Sequence, residues 1–282
     1  MPSRPTIVVL GPGKIGCGYL APLFAQAGWD VVLAARTVES AERIEAAGLF
    51  RVRVAGSAQA VEVRARAVAV GTPAFEAAIA DADLVATAVG TDSVTALGAP
   101  LACALAARGP SRPVDVWVVE NANVAPVLED AVRDAAAAVG LTLPPTGFAG
   151  AIAWAAVSQG DWRIGGRPEF VGDTCRVMHV DATRLVGHAP QLPGVVTTSL
   201  YSEHLWAKRM LFSAGHALLA YLGLRRGHQF VDEAARDLRL RRQVRQALLA
   251  ARAAVLREHP DLAGEVSTSV DWALERYANR AA

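Results

Sequence analysis

The chain has 282 residues, 52% of them hydrophobic, and a formal net charge of +1. This length suits one large domain or two modest ones, and the near-neutral charge gives no basis for a nucleic-acid or acidic-membrane partner. No stretch reaches the ~18 unbroken apolar residues that a membrane span needs. Three widely spaced cysteines, Cys17, Cys103 and Cys175, fit neither a disulfide framework nor a zinc site, so we expect a cytoplasmic protein.

A glycine-rich motif directly follows the first predicted strand, the apolar, β-branched run at 6–10. Its glycines allow a tight turn, a close backbone approach to a pyrophosphate and close packing of the next helix, which we predict over 15–27. The free N–H groups and the positive dipole end of that helix would face the phosphates. The motif therefore predicts a dinucleotide-binding Rossmann domain; the alternative is a glycine turn that binds nothing. The residues expected to bind the cofactor here are Gly11, Gly13, Lys14, Ile15 and Gly16.

The end of the second predicted strand, at 29–34, indicates which dinucleotide binds. NAD sites usually carry an acid there that accepts from the ribose 2′-OH, whereas NADP sites often carry an arginine nearby. This chain has Arg36 and Thr37, and its first acid comes only at Glu39. A guanidinium can hold a 2′-phosphate through paired charge-assisted hydrogen bonds. We therefore predict NADP, with NAD as the alternative and Arg43 as a weaker second contact; otherwise Arg36 is a solvated cation that stacks on adenine.

Strands and helices alternate through the first half of the chain, which predicts an α/β fold. Buried strands predicted at 83–90 and 113–119 end at Val89 and Gly90 and just before Asn121. Because ligands of open α/β sheets bind beyond the carboxyl ends of strands, we expect these three residues at the cofactor.

The chain is predicted to form two domains. We expect an N-terminal Rossmann dinucleotide-binding domain at 1–147 and a substrate and catalytic domain at 148–282, which is mainly α-helical from about residue 198. The segment at 200–222 is apolar over most of its circumference from Met210 onward, and this pattern predicts a buried helix.

Three polar side chains, Lys208, Ser213 and His216, interrupt that apolar helix. At ~100° per residue, His216 lies about 80° and Ser213 about 140° from Lys208, so all three can converge on one side. Burial of an ammonium without a partner lowers its pKa toward neutrality, and such a lysine can exchange a proton with a carbinol or carbonyl oxygen. We therefore predict that Lys208 is catalytic and that His216 is a second donor. Alternatively, a core histidine lies beside a lysine that extends to solvent.

The sequence also resembles the polyol-specific long-chain dehydrogenases, the mannitol dehydrogenase-like family. The resemblance runs from GPGKIGCGYLAPLFAQAGW through DLVATAVG and VVENANV to KRMLFSAGHALLAYLGLRRGHQ. The last block is the most specific, because the family's catalytic motif is lysine, four residues, asparagine, two residues and histidine. The resemblance implies that Lys208 is the general acid/base. It also implies that Asn121 hydrogen-bonds the reacting oxygen and, with Lys208, stabilises an oxyanion beside the nicotinamide.

Three departures from the family pattern bear on the substrate. Ser213 stands where the motif has asparagine, Trp154 and Ala155 replace a charged pair, and the chain ends without the family's final helical region. We therefore expect a more open, apolar pocket lined by Trp154 and His216. Such a pocket argues against mannitol 1-phosphate and favours a less polar or larger ketone.

Together these features predict a metal-independent, NADP(H)-dependent oxidoreductase that interconverts a ketone or aldehyde and an alcohol. We expect a small-molecule substrate, either a specialised metabolite or a modified sugar or cyclitol, and a monomer or homodimer without nucleic-acid or membrane partners. The predicted catalytic residues are Lys208, Asn121, His216 and Ser213. Two alternatives stay open: an imine reductase, and a sensor or scaffold protein that binds NADP(H) without turnover. The lost asparagine and the shorter C-terminus favour the sensor, whereas the lysine, histidine and remaining asparagine count against it.

Overall fold

The computed structural model describes residues 4–54, 60–64, 66–160, 162, 168–172, 175, 177–265 and 268–279. The chain divides into two compact units, Met1–Tyr201 and Ser202–Ala282. The described strands are β1 (Thr6–Leu10), β2 (Asp30–Ala35), β3 (Leu49–Val54), β4 (Ala60–Arg64), β5 (Arg66–Ala69), β6 (Leu84–Thr87), β7 (Val114–Val118), β8 (Thr146–Ala153), β9 (Val157–Gln159), β10 (Glu169–Gly172), β11 (Met178–Asp181) and β12 (Val195–Thr198). The described α-helices are α1 (Ala21–Gln26), α2 (Val38–Ala47), α3 (Pro73–Asp81), α4 (Gly98–Ala106), α5 (Ala125–Ala138), α6 (Tyr201–Ala207), α7 (Ala214–Leu224), α8 (Val231–Arg236), α9 (Leu238–Glu258) and α10 (Val270–Tyr277).

An eight-stranded, mostly parallel sheet forms the centre of the first unit. Its strands stand in the order β12-β11-β8-β7-β6-β1-β2-β5, and every pair from β8 to β5 is parallel. The order reverses between β1 and β6, the point at which open α/β sheets bind ligands beyond their strand ends. Buried apolar side chains cover both faces, among them Val8 and Val9 of β1 and Val116 and Trp117 of β7. The predicted α/β Rossmann fold is thus confirmed.

A second, four-stranded sheet has the order β4-β3-β10-β9, and Val157 of β9 lies against Gly18 of the glycine motif. The ring of Trp162 lies 5.3 Å from that of Phe50 on β3 and 5.9 Å from that of Phe170 on β10. Its indole N–H donates to the carbonyl oxygen of Pro12 at 2.8 Å. The small sheet therefore supports the turn that follows β1.

The first unit extends beyond the predicted Rossmann boundary at 147/148. That boundary falls inside β8, which pairs in parallel with β7 and in antiparallel register with β11. β12 then pairs with β11, so both later strands extend the same sheet. The compact unit accordingly reaches Tyr201, because strand pairing continues the sheet that far.

Helices make up the second unit, as predicted for the C-terminal region. Leu219 of α7 belongs to one buried cluster with Leu240 and Val244 of α9 and Leu274 of α10. These side chains recur at the helical spacing that places apolar residues on one face. None of the helices in the described part of the chain is both long and apolar enough to cross a membrane.

The segment predicted as one buried helix at 200–222 differs from that expectation in two ways. It is not regular, because Lys208–Ser213 forms a π-helical segment between α6 and α7. It is also not buried throughout: Leu219 faces the core, but Tyr221 is 71% exposed. The apolar composition overstated the burial, because the other helices of the second unit cover only one face of α7.

Candidate active site

The glycine motif forms a tight turn between β1 and the following helix. Gly11 has φ +98°, and a side chain there would collide with the carbonyl oxygen of Ala88, just after β6. A side chain at Gly16 would in turn collide with the carbonyl oxygen of Gly11. At Gly13, by contrast, an added Cβ would meet nothing within 4 Å. The turn therefore needs glycine at 11 and 16 to form, whereas Gly13 leaves its backbone open to a ligand.

The helix after this turn begins with a π-helical segment, Gly16–Leu20, which precedes α1. The backbone N–H of Cys17 donates to the carbonyl oxygen of Gly13 at 2.8 Å. Lys14 is exposed and Ile15 is half-buried at the helix start. An open backbone at the positive end of a helix suits a pyrophosphate, so the residues present fit a dinucleotide.

An arginine and a capped helix follow β2, where the adenosine ribose of a dinucleotide is expected. Arg36 is exposed and makes no hydrogen bond or ion pair within the described part of the chain. The hydroxyl of Thr37 caps α2 by accepting from the N–H of Ser40 at 3.2 Å. Arg43, the weaker candidate, pairs with Glu39 at 2.7 Å. Of the two arginines, Arg36 is therefore the one available to a 2′-phosphate.

A buried carboxylate, which sequence reasoning did not single out, joins the ends of β6 and β7. The side chain of Glu120 is 8% exposed, and its oxygens accept from the N–H groups of Val89 at 2.9 Å and Gly90 at 3.1 Å. Burial raises the pKa of Glu120 above its ordinary value, although these hydrogen bonds oppose the rise. Asn121 follows directly and is exposed. The structure thus brings the predicted Val89, Gly90 and Asn121 to one edge of the sheet.

Trp154 lies in the core of the first unit. It is 1% exposed, and its indole N–H donates to Nδ1 of His179 at 3.0 Å. His179 belongs to β11 and is 3% exposed. Because β8 pairs with β11 beside it, the tryptophan sits in a buried polar pair rather than on an open surface of its unit. Its expected place in a substrate pocket stays a prediction.

The second unit carries the three polar residues of the predicted catalytic segment. Lys208 opens the π-helical segment and is half-buried, and Ser213 closes it and is exposed. His216 follows on α7; its side chain is exposed, yet its ring centroid lies 5.9 Å from that of Tyr277. This partial desolvation lowers the pKa of His216, so its imidazole is neutral at pH 7.

The predicted site residues therefore form two groups with different chemistry. The glycine motif, Arg36 and the ends of β6 and β7 with Asn121 belong to the first unit and suit dinucleotide binding. Lys208, Ser213 and His216 belong to the second unit and suit proton exchange and hydrogen bonding at a substrate oxygen. Within the residues that the structure describes, no three His, Cys, Asp or Glu side chains cluster as metal ligands would.

Known proteins resemble the chain over most of its length. Residues 7–118 match the family described as ketopantoate reductase PanE/ApbA. Mannitol-1-phosphate 5-dehydrogenase from Shouchella clausii (strain KSM-K16) is 28% identical over 292 aligned residues, which cover 96% of this chain and 74% of that protein.

Two solved structures share the fold. D-sorbitol dehydrogenase in substrate-free form matches with a TM-score of 0.74 at 16% identity. Pseudomonas fluorescens mannitol 2-dehydrogenase, in a ternary complex with NAD and D-mannitol, matches with a TM-score of 0.70 at 15% identity. Each match covers 99% of this chain and 70% of the other. Together with the mannitol-1-phosphate 5-dehydrogenase match, they bear out the resemblance to the mannitol dehydrogenase-like polyol dehydrogenases that the sequence predicts, and the chain is an NAD(P)-dependent oxidoreductase.

Proposed function

We propose that the protein is an NADP(H)-dependent oxidoreductase that interconverts a ketone or aldehyde and an alcohol, with Lys208 as its acid/base. The proposal rests on the occurrence in one chain of a glycine turn suited to a dinucleotide and of a lysine and a histidine suited to proton exchange. The backbone of the turn is open at Gly13. The lysine and the histidine, Lys208 and His216, stand at the spacing of the family's catalytic motif.

The surroundings of Arg36 support NADP(H) over NAD(H). The guanidinium has no partner within the described residues, and the nearest acid, Glu39, is engaged by Arg43. A 2′-phosphate at Arg36 would gain paired, charge-assisted hydrogen bonds, whereas no carboxylate at this position accepts from a free 2′-OH.

Lys208 and His216 have different roles at the substrate oxygen. The cofactor, when bound, supplies or accepts the hydride. Lys208 gives a proton to the oxygen in the direction of reduction and takes it back in the direction of oxidation. The resemblance gives the amide of Asn121, in the first unit, the role of a hydrogen-bond donor to a developing negative charge. His216 adds a neutral donor, because its lowered pKa keeps it uncharged at pH 7.

Ser213 and Trp154 support a substrate other than mannitol 1-phosphate. Ser213 offers a short hydroxyl where the family motif has an amide, and Trp154 with Ala155 stands in place of a charged pair. Fewer charged and amide groups leave fewer partners for a phosphate or a polyol. We propose that the substrate is a specialised metabolite or a modified sugar or cyclitol. The enzyme would act without a metal, in a cytoplasmic biosynthetic step, as a monomer or homodimer.

A panel of substrates tests the proposed reaction. The purified protein is given NADPH or NADH with ketones, aldehydes and cyclic imines, and cofactor oxidation is followed by absorbance. Mannitol 1-phosphate with each oxidised cofactor serves as the reference for the opposite direction. We expect turnover of carbonyl compounds with NADPH. Preferred turnover of mannitol 1-phosphate would contradict the proposed substrate class, and turnover of imines alone would identify an imine reductase.

Ser213 favours one second candidate, a sensor or scaffold protein that binds NADP(H) without turnover. The family's asparagine supplies an amide donor that serine lacks, and loss of one such donor slows reactions by ~10²–10³-fold. Tight NADPH binding by calorimetry, with no turnover of any compound in the panel, would support this candidate. Restored turnover in Ser213→Asn would further show that the serine is responsible.

A further inference from the structure

The π-helical segment Lys208–Ser213 changes which residues share a face of the helix. In a regular α-helix at ~100° per residue, Ser213 would lie about 140° from Lys208. Here the N–H of Ala214 bonds to the carbonyl oxygen of Arg209, five residues earlier, so each turn holds more residues and each residue rotates less. Ser213, five residues after Lys208, is therefore brought toward the face of Lys208, and His216 is carried toward it as well.

The side chain of Tyr277, at the end of α10, meets the helix where this segment ends. Its hydroxyl lies 2.5 Å from the carbonyl oxygen of Phe212 and 3.2 Å from that of Leu211. The backbone N–H of His216 acts on the same phenol oxygen and lowers the pKa of Tyr277, against the larger effect of burial. In a regular α-helix the N–H of His216 would pair with the carbonyl oxygen of Phe212, four residues earlier. The Tyr277 hydroxyl thus bonds the carbonyl oxygen of that pair, and a side chain that enters the hydrogen-bond ladder of a helix is a known cause of helix distortion.

The surroundings of Tyr277 keep its hydroxyl in place as a donor. The side chain is 4% exposed, and its ring lies 5.2 Å from that of Phe212. Burial raises the pKa of the Tyr277 phenol well above its ordinary value, so the hydroxyl keeps its proton wherever the enzyme works. The absence of a side chain at Gly215 lets the Tyr277 hydroxyl approach the helix, because an added Cβ there would lie 2.7 Å from the phenol oxygen.

We propose that Tyr277 is a positioning residue whose hydroxyl holds the π-helical segment and so brings Lys208 and His216 to one face of the helix. It acts through the backbone at Leu211 and Phe212 rather than on the substrate. The inference rests on the proposed role of Lys208, since the face matters only if that lysine does chemistry.

Tyr277→Phe tests this proposal, because it removes the hydroxyl and keeps the ring. We expect kcat to fall by about 10- to 100-fold, the effect of small misplacements of catalytic groups, while KM for NADPH stays unchanged. The pH profile of kcat/KM should shift, because the environment of Lys208 changes. Amide hydrogen exchange over 208–216 should speed up. Tyr221→Phe is the matched control: that tyrosine is 71% exposed on the neighbouring α7, and the variant should behave as the wild type.

Wild-type kcat, pH profile and amide exchange in Tyr277→Phe would overturn the inference. If Lys208→Ala abolishes turnover while Tyr277→Phe retains it, the inference fails and the proposed function stands. If Lys208→Ala keeps full turnover, the proposed function fails. Faster exchange over 208–216 in Tyr277→Phe would still support the role of the hydroxyl in that case.

Gly215→Ala adds a methyl group beside the same phenol oxygen. It is a second test of the proposal, to be used if Tyr277→Phe folds poorly. Its methyl group would lie 2.7 Å from the phenol oxygen and 2.9 Å from the flexible end of Leu248, so it would displace the hydroxyl and kcat should fall in the same way. In the double variant with Tyr277→Phe the two losses should not add, because both act on one contact. Full additivity would contradict the shared mechanism.

Discussion

Glu120 joins the loops that follow β6 and β7, at the carboxyl edge of the sheet, through a single side chain. Its carboxylate accepts from Val89 and Gly90 after β6, while its own backbone precedes Asn121 after β7. A buried carboxylate needs hydrogen-bond donors. Here the donors are backbone N–H groups 30 and 31 residues away in sequence. The glutamate is visible in the sequence, but its partners become evident only when β6 and β7 are paired.

Glu120→Ala should weaken both the fold and cofactor binding. The variant leaves two N–H groups without their acceptor, and a buried donor that loses its partner costs about 1–3 kcal/mol. We expect a lower free energy of unfolding in urea and a larger Kd for NADPH. Glu42→Ala, at an exposed glutamate on α2, is the control and should change neither quantity. Unchanged NADPH binding in Glu120→Ala would show that this carboxylate does not support the binding of the cofactor.

The raised pKa of Glu120 makes stability depend on pH in a defined direction. Between the ordinary value of 4.5 and the raised value, the folded chain keeps a proton that the unfolded chain releases. The free energy of unfolding contributed by this group therefore falls as pH rises through that window. Glu120→Gln removes the ionisation, so its stability relative to the wild type should increase from about pH 4 to pH 7. A difference that does not change with pH would contradict the assignment.

Arg36→Ala should remove the preference for NADPH over NADH. A charge-assisted contact contributes ~1.5–3 kcal/mol, or about one to two decades in Kd. Arg43→Ala is the matched control, since Arg43 already pairs with Glu39, and its effect should be smaller. Equal affinity of the wild type for the two cofactors, or a preference that survives Arg36→Ala, would count against NADP(H).

At the scale of elements, both functional segments predicted from the sequence contain a π-helical segment. One, Gly16–Leu20, follows the glycine turn, and the other, Lys208–Ser213, carries the lysine. Such segments occur often at functional sites. Their presence could not be predicted from helical periodicity, which assumes a constant rotation per residue. In the second case the distortion involves Tyr277, 65 residues from Phe212, and local sequence does not reveal that contact.

Two glycines of the first turn should respond differently to alanine. Gly13→Ala meets no protein atom within 4 Å, so the variant should fold as well as the wild type and still bind NADPH poorly, because its methyl group occupies the approach of the pyrophosphate. Gly16→Ala collides with the carbonyl oxygen of Gly11 and should lose stability as well as binding. Thermal unfolding and NADPH titration of the two variants distinguish these effects. Wild-type NADPH affinity in Gly13→Ala would place the phosphates elsewhere.

At the scale of the whole molecule, the sequence predicted the fold class and most elements of the first unit. The runs at 6–10 and 113–119 became β1 and β7, because apolar β-branched strands with few polar residues suit a sheet that is covered on both faces. The predicted boundary at 147/148 falls inside β8, whose pairing with β11 joins residues far apart in sequence and is not visible in local patterns. Burial of α7 was overestimated, because composition does not show how many neighbours cover a helix.

The proposed function assigns cofactor binding to one compact unit and proton exchange to the other, and Lys208→Ala tests this assignment directly. The residues proposed to bind the dinucleotide lie in the first unit and the proposed acid/base lysine lies in the second, so the variant should bind NADPH with an unchanged Kd. Turnover should fall by ~10²–10⁴-fold, the usual contribution of positioned proton transfer, and added small amines should restore part of the rate. His216→Ala should cost less, because the histidine assists rather than transfers the main proton. A folded Lys208→Ala protein that binds NADPH and retains full turnover would contradict the central claim that this lysine is the acid/base.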